Sequence, residues 1–171
     1  MSHASSTTSA SIAVLTVSDT RSLEDDYSGA IIVEALEAVG HTIANHAVVT
    51  DEQEEIKMIV HRWSCDASIQ AIIVSGGTGV SSRDVTPDAI VPMMTSILPG
   101  FGELFRQLSF EEIGTASILS RATAGWIDVD TIRTPIFLLP GSPKAVALAV
   151  SKLILPQLSH LVDLCGMESL Q

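Results

Sequence analysis

Five short stretches carry the residue types that handle phosphate chemistry. Ser75-Gly76-Gly77-Thr78-Gly79 is a glycine-rich run, and Ser81-Ser82-Arg83-Asp84 follows it closely. Pro140-Gly141-Ser142-Pro143-Lys144 is a second glycine turn with a cation attached. Ser18-Asp19-Thr20-Arg21 mixes small hydroxyls with one acid and one base, and Asp51 stands in a further polar break. Glycine lets the backbone approach a ligand closely, and runs of peptide N–H groups can hold an anion. Carboxylates beside such a loop suit Mg²⁺, which takes one or two of them together with phosphate oxygens. The run lacks the G-K-[ST] ending of a phosphate-binding P-loop and the G-x-G-x-x-G spacing of a dinucleotide fingerprint. Alone, it reads equally as a tight turn. Each acid has a structural alternative too: Asp51 precedes a helix, Asp88 occupies a helical first turn, and Asp19, Glu24, Asp25 and Asp26 form a solvated run in which only Asp19 is a functional candidate.

These stretches gain weight from what precedes them. Ile12–Ser18, Ile69–Ser75 and Pro135–Leu139 are near-continuous apolar runs of strand length, as expected for strands buried on both faces. His41–Thr50 is a more polar strand, nearer an edge. Between the strands, Ser28 caps a helix with apolar positions Ile31, Ile32, Ala35, Leu36 and Val39, and Gly40 closes it. Glu52–Ser64, a segment begun by Thr86 as cap with Pro87 next, Phe101–Glu112, and Lys144–Leu164 broken near Pro156 supply the other helices. Ser117–Ser120 and Trp126–Thr131 read as short strands of a small hairpin. Strands alternating with helices imply a three-layer α-β-α domain with a mostly parallel sheet. Ligands bind such sheets beyond the carboxyl ends of the strands, where all five stretches fall.

The chain has 171 residues, enough for one domain, taken as 12–164 between an N-terminal tail (1–11) and a C-terminal tail (165–171). Its 46% apolar content against 4% aromatic calls for an aliphatic core. A net charge of −11 argues against nucleic acid as a partner. Of the nine cations, Arg21, Arg83, Arg121 and Lys144 fall in or beside the loops that follow strands. No apolar run is long enough for a membrane span, and no signal or transit peptide is evident, so the expected location is cytoplasmic. Cys65 and Cys165 read as free thiols.

Ser75–Ala89, S-G-G-T-G-x-x-x-R-D-V-T-P-D-A, resembles the signature of the molybdenum-cofactor biosynthesis domain, the MoaB/MogA family related to the G domains of gephyrin and plant Cnx proteins. Leu15–Arg21 with Asp26…Ser28-Gly29, Phe101–Arg106 with Glu111–Gly114, Ser120–Gly125, and Leu139–Ala145 are similar to its other motifs, and the Phe101–Gly114 stretch is closest to the MoaB branch. The resemblance covers about residues 12–164. It implies adenylylation of molybdopterin by ATP with Mg²⁺, releasing pyrophosphate, in a trimer or a hexamer, with possible hand-over to a molybdate-insertion enzyme. It implies metal and ATP handling by Asp51 and Asp84. Ser18, Asp19, Thr20, Ser75, Gly76, Gly77, Thr78, Gly79, Arg83, Thr86, Pro140 and Gly141 would contact nucleotide or pterin phosphate, and Ser120, Arg121, Ser142 and Lys144 the pterin side. Some MoaB-branch members lack the R-D-V-T-P form of the loop and are inactive; this chain keeps Arg83-Asp84. Many relatives place a proline before the acid matching Asp51, where this chain has Thr50. A non-catalytic molybdopterin carrier and a nucleotide pyrophosphatase similar to the CinA family are the alternatives on the same fold.

Overall fold

The computed structural model describes residues 9–168. The elements run β1 (Ser11–Val17), α1 (Tyr27–Ala38), β2 (Thr42–Val49), α2 (Gln53–Ser64), β3 (Ala71–Ser75), α3 (Thr86–Ile90), β4 (Ser96–Ile97), α4 (Pro99–Ile113), β5 (Thr123–Val129), β6 (Ile132–Leu139), α5 (Pro143–Ala149) and α6 (Leu158–Glu168). The six strands form one sheet in the order β2-β1-β3-β6-β5-β4. The first four run parallel, while β5 and β4 pair antiparallel at one edge.

The apolar runs behave as two-faced strands. Ile12 and Val14 of β1, Ile73 of β3, and Phe137 and Leu139 of β6 pack under α1, α4, α5 and α6. The alternate residues Ala13, Leu15, Ile72, Val74, Ile136 and Leu138 pack under α2 and α3. Period-two alternation therefore feeds two separate cores, one per face, and the expected three layers result. Burying each Ile or Leu in these layers contributes roughly 1.5–3 kcal/mol. The polar strand β2 lies at the sheet edge, and of its eight residues only Val49 is buried.

Several local expectations are corrected. Asp26, not Ser28, caps α1, accepting a hydrogen bond from Gly29 N. Thr86 lies inside α3 and Val85 occupies the cap position. Ser117–Ser120 is no strand: Gly114–Leu119 winds into a 3₁₀ helix, and the hairpin is β5–β6, turning at Asp130, the one described non-glycine residue with positive φ. β1 opens at Ser11 and α6 reaches Glu168, so regular structure enters both expected tails; residues 1–8 and 169–171 of those tails lie outside the described residues. The final helical region does break around Pro156. A π-helical stretch, Val150–Ile154, ends there and the axis turns by 60° before α6. No single described helix is long and apolar enough to cross a membrane. No disulfide joins the two cysteines, Cys65 being exposed and Cys165 buried.

Candidate functional site

Strands β1 and β6 flank β3 and send their following helices, α1 and α5, to one face of the sheet. β3 sends α3 to the other. The chain thus parts at the carboxyl end of β3, which opens a crevice there. Gly76 and Gly77 turn the chain at φ +98° and +62°. A Cβ on Gly76 would overlap the Val17 carbonyl oxygen, and one on Gly77 would overlap Thr86 Oγ1 and approach Asp51 Oδ1 to 3.0 Å. Only glycine satisfies both the dihedral and the space. The second glycine turn closes on the first: a Cβ on Gly141 would lie 3.2 Å from Gly76 Cα. Gly76 N–H donates to Leu139 O at 3.0 Å. The N–H groups of Gly77, Thr78 and Gly79 donate to no described protein acceptor.

A cavity of about 430 Å³ fills this crevice. Its charged lining consists of Asp19, Asp51, Asp84, Arg21 and Arg83, a surplus of one negative charge. Arg83 crosses the mouth, donating to both Asp19 oxygens (2.7 and 2.8 Å from one nitrogen) and to Glu52 Oε1 at 3.1 Å. Asp19 Oδ1 also accepts from Asp51 N at 3.0 Å. That backbone N–H and the Arg83 guanidinium hold the Asp19 carboxyl below the usual carboxylate range. Asp51 moves the other way: burial, then the neighbouring Asp19 and Asp84 charges, raise it. Asp84 Oδ2 accepts from Ser81 N at 2.8 Å, folding residues 81–84 into a compact turn over Gly79.

The family described as "Probable molybdopterin binding domain" matches residues 13–160. Molybdenum cofactor biosynthesis protein B of Bacillus subtilis is 48% identical over 150 residues, which are 87% of this chain and 86% of that protein. The chain belongs to this molybdopterin-binding family. A crystal structure of molybdenum cofactor biosynthesis protein B superposes with a TM-score of 0.88 at 36% identity, covering 95% of this chain and 99% of that one. The tungsten cofactor synthesizing protein MoaB from Pyrococcus furiosus gives 0.83 at 32%, covering 92% and 98%. The family role, molybdenum cofactor biosynthesis, is therefore this chain's role.

Within this member of the molybdopterin-binding family, the structure gathers Ser18, Asp19, Thr20, Asp51, Gly76, Gly77, Thr78, Gly79, Arg83, Asp84, Pro140 and Gly141 onto the cavity wall. Ser75 and Thr86 lie beneath it, fully buried; Thr86 Oγ1 has no hydrogen-bond partner. The four residues expected on the pterin side fall outside this lining. Arg121 is a brace: it donates to Gly79 O at 2.7 Å and to the Asp84 carbonyl, and pairs with Asp88 at 2.9 Å. Its own N–H donates to Thr78 O. Ser120 Oγ accepts from Ala122 N. Ser142 caps α5. Ser142 and Lys144 line a separate cleft of about 480 Å³ with Glu112 and Ile113. Of the four cations that follow strands, Arg21 and Arg83 therefore reach the cavity. Sequence reasoning missed Thr16 and Ser28, both on its wall, and Asp26 behind them. The only signal for Asp26 was its place in the Asp26…Ser28-Gly29 motif.

Proposed function

We propose that this chain is a molybdopterin adenylyltransferase. The terminal phosphate of molybdopterin attacks the α-phosphate of ATP, the new phosphate–phosphate bond forms in line, and pyrophosphate leaves. The observation that carries this reading is the convergence, at one strand end, of two glycine turns, three N–H groups without protein acceptors, and the carboxylates Asp51 and Asp84. Phosphoryl transfer asks the protein for position and charge balance rather than a side-chain nucleophile.

The amides of residues 77–79 would hold a phosphate, with the positive end of the backbone dipoles toward it. Arg83 would exchange part of its contact with Asp19 and Glu52 for phosphate oxygens, which it can meet in the same forked geometry. Asp51 and Asp84 fit Mg²⁺: the described residues hold no cluster of three metal-binding side chains, and Mg²⁺ with a polyphosphate needs only one or two carboxylates. When bound, Mg²⁺ would neutralise the polyphosphate and the departing pyrophosphate. The pterin would lie toward the neighbouring cleft that Ser142 and Lys144 line.

The same proposal extends to assembly and setting. Phe110, Ile113 and Ile118 stand 56%, 58% and 71% exposed along and just beyond α4. Such apolar exposure supports self-association as a trimer or hexamer, working in the cytoplasm and passing its product to a molybdate-insertion enzyme. Light scattering on the purified protein measures the mass.

Purified protein given ATP, Mg²⁺ and molybdopterin should release pyrophosphate. Asp84→Ala should lower that rate by about 100-fold or more, the scale on which loss of a charge-stabilising group acts, with the fold retained by circular dichroism. Wild-type protein that binds the pterin and never turns over ATP would sink the proposal.

A further inference from the structure

Behind the cavity lies a titratable group for which the transfer reaction has no use. The Asp26 side chain is completely buried, yet it arrives from what reads in the sequence as a solvated acidic run. Its oxygens are fully employed. Oδ2 accepts from the Thr16 hydroxyl at 2.6 Å and bonds His46 Nε2 at 2.9 Å. Oδ1 accepts from Gly29 N at 2.9 Å. Gly29 admits this closeness, since a Cβ there would overlap both the Asp26 carboxylate and the His46 ring.

Each bond leads to the cavity. Thr16 lines it, and its hydroxyl also lies 3.3 Å from Ser75 Oγ, directly before the Gly76 turn. The first turn of α1, held by the bond to Gly29, carries Ser28, whose hydroxyl donates to Gly141 O at 2.8 Å. One carboxylate thus reaches the first glycine turn through Thr16 and Ser75, and the second through α1 and Ser28. His46, on the edge strand β2 and 22% exposed, closes the array on the solvent side. Buried polar networks that are fully satisfied fix a single arrangement, because any displaced member leaves an unpaired group in a dry place.

We propose that Asp26 is a positioning residue: it sets the spacing of the two glycine turns that hold the phosphate-bearing ligand. The proposal rests on the adenylyltransferase reading only for ATP as probe.

Three variants test it: Asp26→Asn, Thr16→Val and the double variant. Asparagine keeps the size and one oxygen but sets an amide donor against Thr16 and His46; Thr16→Val removes only the hydroxyl that joins Asp26 to Ser75 and guards against loss of fold in the first. Both singles should weaken Mg·ATP binding in calorimetry by about 10-fold, and the double by little more, since the two act through one bond. Amide exchange at Gly76, bonded to Leu139 O, should speed up in step while Ile73 and Leu138 keep their protection. In the pyrophosphate assay KM should rise with kcat nearly kept. Folded variants with lower melting temperatures but wild-type ATP affinity, KM and Gly76 exchange would overturn the proposal. Wild-type protein that binds ATP without releasing pyrophosphate would remove the adenylyltransferase reading and leave this proposal to the binding and exchange results.

Discussion

Arg83 at the mouth of the cavity engages two carboxylates, Asp26 behind its floor engages three hydrogen-bonding groups, and the two sites differ mainly in water. Arg83 is 54% exposed and its partners Asp19 and Glu52 are 38% and 64% exposed. The Asp26 side chain shows no surface at all. Coulomb attraction at the mouth is screened and the side chains keep alternatives in solvent, so the pairs are easily exchanged. At the floor the alternative to each bond is an unpaired polar group in low dielectric. The same kinds of contact therefore make a rim that can trade partners with an incoming phosphate and a base that cannot.

The largest expected effect attacks the floor. Asp26→Ala leaves the Thr16 hydroxyl, the Gly29 amide and His46 without their shared acceptor and should destabilise the fold by about 3 kcal/mol, the scale on which leaving buried polar groups unsatisfied acts. That corresponds to roughly 6–12 °C in melting temperature for a chain of this size. A calorimetric scan reads it directly, and a loss of only a degree or two would place the floor in the same class as the rim.

Arg83→Ala is the matching change at the rim. Its exposed pairs should contribute less than about 1 kcal/mol to stability, while Mg·ATP affinity falls about 10-fold through the lost charge-assisted contacts. Melting and titration on one sample separate the two. Equal damage to stability and binding would mean that the rim is as rigid as the floor.

How much of this contrast can be read from residues alone follows from distance along the chain. The strands and the two-sided core are legible because alternation and apolar runs are local signals, and the site loops because they follow those strands. Asp26 is not legible: its burial depends on His46, which arrives twenty positions later from β2, and on Thr16 from β1. Arg121 looks like a free cation by position and is a brace, because Gly79, Asp84 and Asp88 come to it from 33 to 42 residues away. The two-residue β4 exists only through its pairing with β5, and Ser117–Ser120 has strand-like composition but no neighbour to pair with, so it winds instead.

Between rim and floor stand Asp19 and Asp51, whose carboxyls shift in opposite directions. Asp51, raised above its unfolded value by burial first, contributes stability that is full below about pH 4 and is lost as pH rises through its folded value. At neutral pH it is thus a destabilising charge. Asp51→Asn should raise the melting temperature by about 1–2 °C at pH 7, lose that advantage below about pH 4, and still reduce pyrophosphate release. Asp19, lowered chiefly by the Asp51 amide, behaves inversely: its contribution is present above about pH 4 and disappears as pH falls through its folded value. A parallel pH response of Asp51→Asn and Asp19→Asn would contradict the assignment of burial to one and pairing to the other.

Thr86 sits under Gly77 with no exposed surface and a hydroxyl that has no hydrogen-bond partner. It belongs to the floor by burial but not to the Asp26 array. An unmatched buried hydroxyl costs free energy, and replacing it by a methyl of similar shape removes that cost. Valine keeps the β-branch and hence the stiff side-chain geometry. Thr86→Val should therefore raise stability by up to about 1 kcal/mol, or roughly 2–4 °C, and leave the Gly77 turn in place. A fall in melting temperature would show instead that the hydroxyl is satisfied in solution through the cavity above it, and the floor would then extend one residue further than the Asp26 array reaches.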